Sequence, residues 1–222
     1  MHIKSFKAWS YSRWSCHDKC PFQAKCKFLD KLPEPPAPAL EKGKKAHDVL
    51  ANFMAGAGEL RKNIPGWEHF GELMMHLRSL DPLVEQQWGF TDKWTATDWF
   101  GSDTWFRAVL DVGVVYEDNT ADVVDFKTGR ESASHEDQAE LYAIAMFMRH
   151  PRVTEMNVRF WYLDLGTESV FTYTREQLTE FKRKWEAKVE PMLLDHTFAP
   201  RPGHHCNWCA HSASQSGTCR FG

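Results

Sequence analysis

The chain has 222 residues and a formal net charge of −3, and 42% of its residues are hydrophobic, 14% aromatic and 26% charged. This composition excludes a disordered or collagen-like chain, and the length suits one domain with a full hydrophobic core. The near-zero net charge excludes a histone-like binder, although a local basic groove would still suffice to bind nucleic acid.

The first part of the chain combines a cysteine-rich segment with two predicted helices. Residues 32–38 are Pro-rich and form an extended connector that cannot be helical. The first predicted helix spans residues 40–54, with Leu40 and His47 close to one stripe. The second spans residues 67–80 and ends before Pro82, which disfavours a helical residue in front of it.

The remainder of the chain alternates strands and helices. The predicted elements are strands at 83–90, 105–116 and 121–127, a helix at 136–149, strands at 153–163 and 169–173, and a long last helix. The turn residues Asp118 and Asn119 make the second and third strands a hairpin. Thr174 and Gln177 form a capping-box pattern that opens the last helix. This order predicts one α/β or α+β domain without internal repeats.

The sequence predicts neither a membrane span nor a secretory signal. Its apolar runs are far shorter than the ~20 residues of a membrane helix. Residues 1–4 lead into a polar, aromatic stretch rather than an apolar one. We therefore expect a cytoplasmic protein.

Three charged residues on the predicted hairpin indicate a catalytic site. Asp111 lies inside the first hairpin strand, and Asp125 and Lys127 share one face of the second. Charges in Val-rich strands are unfavourable unless they are paired or hold a metal. Two carboxylates suit Mg²⁺ or Mn²⁺, and a lysine beside them can polarise water or stabilise phosphate charge. The alternative is an ordinary ion pair on a solvent-facing strand.

The residues around these charges resemble a known family. The runs 110–113 (Leu-Asp-Val-Gly) and 123–129 (Val-Val-Asp-Phe-Lys-Thr-Gly) resemble the PD-(D/E)XK nuclease superfamily. The closer likeness is to the RecB-like branch, which includes nuclease domains of bacterial recombination enzymes of the AddB type, CRISPR-adaptation nucleases and phage exonucleases. The resemblance implies a restriction-endonuclease-like α/β core, in which helices flank a central mixed β-sheet.

The resemblance also assigns roles to other residues. His47, in the run 43–47, matches a helix histidine that binds metal together with Asp111, Asp125 and the backbone carbonyl of Phe126. Three further positions match family residues with catalytic or DNA-contacting roles: Glu85, Gln138 and Tyr142. Each could instead be an ordinary helix or strand residue, and Asp122 or Asp137 could replace one of the assigned acids.

The function implied is a metal-dependent deoxyribonuclease, with exonuclease action on DNA ends or single strands. A bound divalent ion would activate water and neutralise the phosphate, and Lys127 would orient that water. The setting implied is DNA recombination, repair or phage DNA processing, in a bacterial cytoplasm or the cytoplasm of a phage host. The alternatives are a non-catalytic nucleic-acid-binding module and a zinc-organised interaction protein. Protein partners and oligomeric state are not predicted.

All six cysteines lie in the first 26 or the last 17 residues, which favours metal ligands over disulfides. In the RecB-like branch, one N-terminal cysteine, often before proline, joins a cysteine tail to hold a 4Fe-4S cluster. That pattern assigns four ligands: Cys20, Cys206, Cys209 and Cys219. Cys16 or Cys26 could replace Cys20. A zinc site of the three tail cysteines with His204, His205 or His211 is the main alternative.

The predicted organisation is therefore a single domain over residues 1–222. Residues 1–38 form the N-terminal cysteine segment and connector, 39–199 the nuclease core, and 200–222 the cysteine-rich tail, with the two terminal segments joined at a metal cluster. Trp14 and Trp208, beside the cysteines, are the tryptophans expected to stack on bases.

Overall fold

The computed structural model describes residues 5–57 and 64–222. Residues 1–4, for which no secretory signal is expected, lie outside this part of the chain. None of the described helices combines the length and apolar composition needed to cross a bilayer.

A six-stranded mixed sheet forms the centre of the fold. The strands are β1 (Leu83–Phe90), β2 (Ala96–Thr97), β3 (Phe106–Val115), β4 (Thr120–Lys127), β5 (Glu155–Tyr162) and β6 (Thr167–Thr174). Their order across the sheet is β2-β1-β3-β4-β5-β6. Neighbouring strands are antiparallel except β4 and β5, which run parallel and are joined by a crossover helix.

Helices cover both faces of the sheet. The α-helices are α1 (Tyr11–Lys19), α2 (Pro21–Ala24), α3 (Pro38–Met54), α4 (Trp67–Ser79), α5 (Ser134–Arg149) and α6 (Leu178–Leu193). One hydrophobic core lies between the sheet and α5 and α6, with Ile144 and Trp185 fully buried in it. A second core lies between the opposite face and α3 and α4, around Leu50 and Met74. The predicted α/β architecture, with a mixed sheet flanked by helices, is confirmed.

The main predicted elements lie within a few residues of the observed ones, but the N-terminal segment is more helical than predicted. Besides α1 and α2, it contains the π-helix Lys25–Leu29. Helix α1 is polar, so it lacks the apolar periodicity that reveals a helix. Its N-terminal signal is Ser10, whose hydroxyl accepts a hydrogen bond from Arg13 N at 3.4 Å. The sequence predictions also missed β2, which has only two residues, and the 3₁₀-helix His204–Trp208.

Strands β1 and β3 change face together at one position. Ala108 and Leu110 belong to the first core, whereas Val112 belongs to the second, although strict alternation would place all three on one face. Across the ladder, Val84 pairs with Val112 and Gln86 pairs with Leu110, so Glu85 and Asp111 lie between the same two rungs. Glu85 has φ of +47°, which is unusual for a non-glycine residue. This change of face keeps Glu85 and Asp111 out of both hydrophobic cores.

The terminal segments pack against each other on the α6 side of the molecule. His17 Nε2 lies 2.9 Å from Asp195 Oδ2, which follows α6. Arg201 donates to the carbonyl of Asp18. Trp14 Nε1 donates to the carbonyl of Lys188 at 3.1 Å. These contacts bring the N-terminal cysteine segment to the cysteine-rich tail.

Candidate active site

The predicted catalytic residues other than Glu85 line one open cavity beside β3 and β4, the two central strands of the sheet. Its empty volume is about 960 Å³, including the solvent at its mouth. The predicted residues on its wall are His47, Asp111, Asp125, Lys127, Gln138 and Tyr142. They come from α3, β3, β4 and α5, so this part of the sheet assembles residues far apart in sequence.

Asp125 is held by a dense hydrogen-bond network between β4 and α5. Its Oδ1 accepts from Tyr142 OH at 2.6 Å and from Gln138 Nε2 at 3.0 Å. Lys127 Nζ lies 2.6 Å from Asp125 Oδ2 and donates to Gln138 Oε1 at 3.1 Å. Gln138 therefore fixes the acid and the ammonium relative to each other. The i, i+2 spacing on β4 and the i, i+4 spacing on α5 place all four side chains in reach.

Asp111 is engaged by different partners on the α3 side. Its Oδ2 accepts from the backbone N–H of Phe126 at 2.8 Å and lies 3.2 Å from His47 Nδ1. The carbonyl of Phe126 also interacts with the His47 imidazole. Both backbone groups of Phe126 thus face the site, which fits the role predicted for its carbonyl.

Glu85 joins Asp111 and His47 in a compact trio. One ligand atom from each of the three side chains lies within 4.8 Å of the others, and within residues 5–57 and 64–222 this is the one such group of three His, Cys, Asp or Glu side chains. Glu85 is exposed and Asp111 is buried, so the trio opens to solvent on one side. The sequence predictions assign Glu85 a catalytic role and place Asp125 among the metal ligands.

The electrostatics of the trio are strongly coupled. Burial raises the pKa of Asp111, and the charge of Asp125 adds to this effect, while His47 opposes it. The hydrogen bond to Asp111 is the largest influence on His47 and raises its pKa to about 9, against the opposing effect of burial. Burial and then Asp111 raise the pKa of Glu85. Clustered acids with raised pKa values in a cleft are typical of functional sites.

Two observations indicate that the site suits a divalent cation. Asp125 Oδ2 is buried and accepts no hydrogen bond of good geometry within the described residues, although the Lys127 ammonium lies beside it. The trio supplies two carboxylates and an imidazole, a donor set suited to Mn²⁺ and, through its oxygens, to Mg²⁺. Asp111 connects the trio with Asp125, because it belongs to the trio and the charge of Asp125 contributes to raising its pKa.

The two alternative acids lie in other environments. Asp122 accepts hydrogen bonds from Tyr116 OH at 3.1 Å and from Asn157 Nδ2 at 3.0 Å. Asp137 forms an ion pair with Lys188 on α6. Neither acid lines the cavity, so in this structure both stabilise contacts between elements of the fold.

The four cysteines predicted as cluster ligands also line one cavity. Cys20, Cys206, Cys209 and Cys219 surround an empty volume of about 290 Å³, including the solvent at its mouth. Arg201 N donates to Cys20 Sγ, and Gly203 N donates to Cys206 Sγ, both at 3.4 Å. All six cysteines are free thiols. Cys16 and Cys26 are not on this wall, although Cys26 lies close enough to Cys209 and Cys219 that these two thiols add to the effect of burial in raising its pKa.

Within the described residues, the tail ligands are not gathered as closely as a tetrahedral zinc ion would hold them. Tetrahedral zinc would place its sulfur ligands about 4 Å apart. Within the described ranges, no three cysteine or histidine ligand atoms of the tail lie within 4.8 Å of one another. His205 lines the cysteine cavity, whereas buried His211 has its Nε2 3.5 Å from Glu34 Oε1.

Several residues on the active-site wall were missed by the sequence predictions. They are Ser10, Tyr11, Ser12, Trp99, Arg107 and Val109. Their positions depend on the tertiary fold, because the start of α1 and the loop before β3 reach the cavity from outside the motif-bearing strands. The one available signal was alternation, since Arg107 and Val109 lie four and two residues before Asp111 on β3.

Comparisons with known proteins identify the family and the fold of this chain. The family model described as the PD-(D/E)XK nuclease superfamily matches residues 8–214. The crystal structure of a "putative exonuclease" from Eubacterium rectale aligns with a TM-score of 0.54 and 12% identity, covering 92% of this chain and 88% of that chain. The crystal structure of SSO0001 aligns with a TM-score of 0.44 and 12% identity, covering 95% and 86% of the two chains. The first alignment shows a shared fold. No curated protein sequence matches this one.

Proposed function

The chain belongs to the PD-(D/E)XK nuclease superfamily, and we propose that it is a divalent-metal-dependent deoxyribonuclease with exonuclease action. Family membership makes nucleic acid the substrate and phosphodiester hydrolysis the reaction. The choice of DNA, the action on ends or single strands, and a role in cytoplasmic recombination, repair or phage DNA processing follow from the resemblance to the RecB-like branch.

One observation carries the catalytic proposal. Asp111, Asp125 and Lys127 converge on a single open cavity, with the lysine ammonium 2.6 Å from Asp125 Oδ2. A non-catalytic binding module would have no need for a buried acid held by Tyr142 and Gln138. Burying such a charge is costly unless it is well paired or used in chemistry.

The residues of the chain divide the work at this site. His47, Glu85 and Asp111 would hold the cation, with Asp125 and the carbonyl of Phe126 beside them. The cation would supply Lewis-acid polarisation of a phosphate oxygen and a more acidic water. Lys127 directs its ammonium into the cavity, where it stabilises negative charge that develops on the phosphate.

Gln138 and Tyr142 act through Asp125. Burial, and then the charge of Asp125, raise the pKa of Tyr142 well above its usual value, so its hydroxyl keeps its proton and donates to Oδ1. Gln138 donates to the same oxygen and accepts from Lys127. Together they hold Asp125 in one orientation, which keeps its other oxygen directed at the ammonium.

We further propose that Cys20, Cys206, Cys209 and Cys219 hold a 4Fe-4S cluster with a structural role. Four thiols on one cavity, two of them accepting backbone N–H groups, support this assignment. The cluster would join the two ends of the chain. Its contribution to folding stability would come from closing a long loop.

Cleavage of end-labelled DNA tests the function directly. Single- and double-stranded oligonucleotides, labelled at either end, are incubated with Mg²⁺ or Mn²⁺ and the products are resolved by length. We expect metal-dependent release of short products from one end by the wild type. Asp125→Asn should lose this activity with its fold intact, as judged by circular dichroism.

Asp122→Asn is the matched control, because Asp122 lies on the same strand but hydrogen-bonds away from the cavity. It should cut DNA like the wild type. Equal activity of the wild type and Asp125→Asn would place catalysis elsewhere, and no cleavage with either metal would refute the proposed function.

A further inference from the structure

A loop between β2 and β3 carries two aromatic side chains to the mouth of the catalytic cavity. Trp99 lines the cavity wall, and Phe100 beside it is 85% exposed. An exposed phenylalanine is unfavourable in water, and most large apolar side chains of this protein lie in its two cores. Two adjacent rings, one on the cavity wall and one exposed beside it, offer an aromatic surface that a ligand in the cavity could contact.

The loop is fixed by hydrogen bonds within it. Thr104 Oγ1 donates to the carbonyl of Asp98 at 2.7 Å, and Thr97 Oγ1 donates to Asp103 Oδ1 at 2.9 Å. Gly101 N and Thr104 N close two successive turns, at 3.0 and 3.1 Å. Because the loop is ordered before any ligand binds, little conformational entropy is lost when its rings make a contact.

Arg107 places a positive charge against the two rings. Its guanidinium carbon lies 5.4 Å from the centre of the Trp99 ring and 5.9 Å from that of Phe100. Its Nε donates to the carbonyl of Trp99 at 2.9 Å, which ties β3 to the loop. A guanidinium group on the cavity wall favours contact with a phosphate backbone.

The aromatic loop is continuous with the catalytic residues. Arg107, Val109 and Asp111 all line the same cavity and follow one another along β3. Four residues of strand span about 13 Å. That distance corresponds to at most about four nucleotides at the ~3.4 Å spacing of stacked bases. A strand cut at Asp111 would therefore pass the loop within a few nucleotides of the cut.

We propose that Trp99 and Phe100 form a stacking platform for unpaired bases of the substrate strand. This inference rests on the proposed function and adds to it a preference for single-stranded DNA next to the cut. Bases inside a duplex present only their edges, so away from a duplex end an aromatic face can stack only on a base that has left its pair. Stacking is also independent of sequence, which suits an enzyme that degrades DNA of any sequence.

The two tryptophans predicted from sequence to stack on bases lie elsewhere. The Trp14 ring packs edge-on against Trp185 at 4.8 Å, and the Lys188 ammonium lies 5.0 Å from its centre. Trp208 is 80% exposed but follows Cys206 in the tail, and it does not line the catalytic cavity. Trp208 is therefore the matched exposed aromatic for a control.

The test combines protein variants with abasic substrates. The value of kcat/KM is measured for single-stranded DNA carrying one abasic site, moved through the first four positions on either side of the cut. For the wild type, one position should lower kcat/KM by about five- to a hundredfold. The double variant Trp99→Ala, Phe100→Ala should lower kcat/KM on intact DNA by a similar factor. In this variant, an abasic site at the sensitive position should cause no further loss. Trp99→Phe should retain most activity, and Trp208→Ala should behave as wild type.

The outcomes separate the two proposals. Suppose that the wild type cuts DNA and that the abasic site lowers kcat/KM by the same factor in the double variant as in the wild type. The stacking platform is then refuted, while the nuclease function stands. If no cleavage occurs, the function is refuted, and fluorescence anisotropy with the same labelled strands tests the platform alone. Equal affinity of the wild type and the double variant for the intact strand would then overturn it. The hydrogen bonds that fix the loop involve neither the Trp99 ring nor the Phe100 ring, so both substitutions preserve them.

Discussion

The ammonium of Lys127 lies 2.6 Å from Oδ2 of Asp125, so the two charges of this strand are already paired in the resting site. The acids are thereby divided between two groups. Asp125 belongs with Lys127 on the α5 side, whereas Asp111 belongs with His47 and Glu85 on the α3 side. A cation bound by the second group would lie next to the first, and Lys127 would face the same phosphate from the other side.

Replacing Lys127 by methionine keeps the length of the side chain and removes its charge. We expect kcat for DNA cleavage to fall by about 10²–10³, since charge stabilisation in a cavity of this kind contributes on that scale. KM should change less, because the ammonium stabilises mainly the negative charge that develops on the phosphate in the transition state. Cleavage rates at saturating Mn²⁺ measure both values.

Lys93→Met is the control for that variant, because its side chain is 83% exposed and far from the cavity wall. Its activity should equal that of the wild type.

Lys127→Met also leaves Asp125 Oδ2 buried beside an apolar group, so its free energy of unfolding should fall by about 1–3 kcal/mol. A Lys127→Met enzyme that retains wild-type kcat would exclude a catalytic role for the ammonium.

Glu85 is a proposed metal ligand on a strained backbone, and two substitutions separate these properties. Glu85→Gly relieves the positive φ, so the free energy of unfolding should rise by up to about 1 kcal/mol. Glu85→Gln keeps the strained backbone and should leave stability unchanged. Both variants should bind Mn²⁺ about tenfold or more weakly, measured by calorimetry. If Glu85→Gly instead destabilises the protein, the strain is not stored at this position.

The cysteine cavity predicts which thiols hold the cluster. Protein purified without oxygen should be coloured and contain iron, and Cys20→Ser or Cys209→Ser should remove both properties. Cys16→Ser is the control, since Cys16 is half-buried and away from the cavity wall. Colourless wild-type protein with stoichiometric zinc would rule out the cluster and favour the zinc alternative.

The sheet and its helices were predictable because local patterns and tertiary packing agree. The Val-rich β3, the Asp118–Asn119 turn and the capping box of Thr174 with Gln177 all occur where the sequence indicates. The stripe on α3 was wrong in one respect, because Leu40 is 68% exposed and Ala46, Leu50 and Phe53 face the core. His47 lies at the edge of that buried face, which is why it reaches the cavity.

The remainder of the site depends on geometry that no local pattern encodes. The joint change of face at Glu85 and Asp111 breaks the strand alternation on which sequence reasoning depends. The approach of Trp99 to the cavity requires the β2–β3 loop to fold back against Arg107, a contact between elements. Propensity and periodicity describe single elements and are silent about such contacts.

The junction between the two chain ends should weaken in acid because of Asp195. Its Oδ1 accepts from Thr197 N and Phe198 N, both at 2.8 Å, and its Oδ2 lies 2.9 Å from His17 Nε2. Burial favours the neutral acid, but these hydrogen bonds outweigh it and lower the pKa of Asp195. A lowered pKa in the folded state stabilises the protein above the unfolded value of about 3.9, and this contribution is lost as the pH falls through the folded value.

Asp195→Asn preserves the shape of the side chain and removes its charge, so it isolates this contribution. At pH 7 the variant should be less stable than the wild type by about 1–3 kcal/mol, the usual worth of hydrogen bonds to a charged group. The difference should shrink as the pH falls below about 4, because Asp195 of the unfolded wild type is protonated first, and it should be smallest below the lowered folded pKa, where folded Asp195 is protonated too. Urea unfolding at a series of pH values measures both free energies. Asp92→Asn, at a side chain 66% exposed, should stay within about 0.5 kcal/mol of the wild type throughout. If the difference in free energy of unfolding between the wild type and Asp195→Asn does not vary with pH, the charge of Asp195 does not stabilise the contact between the two chain ends.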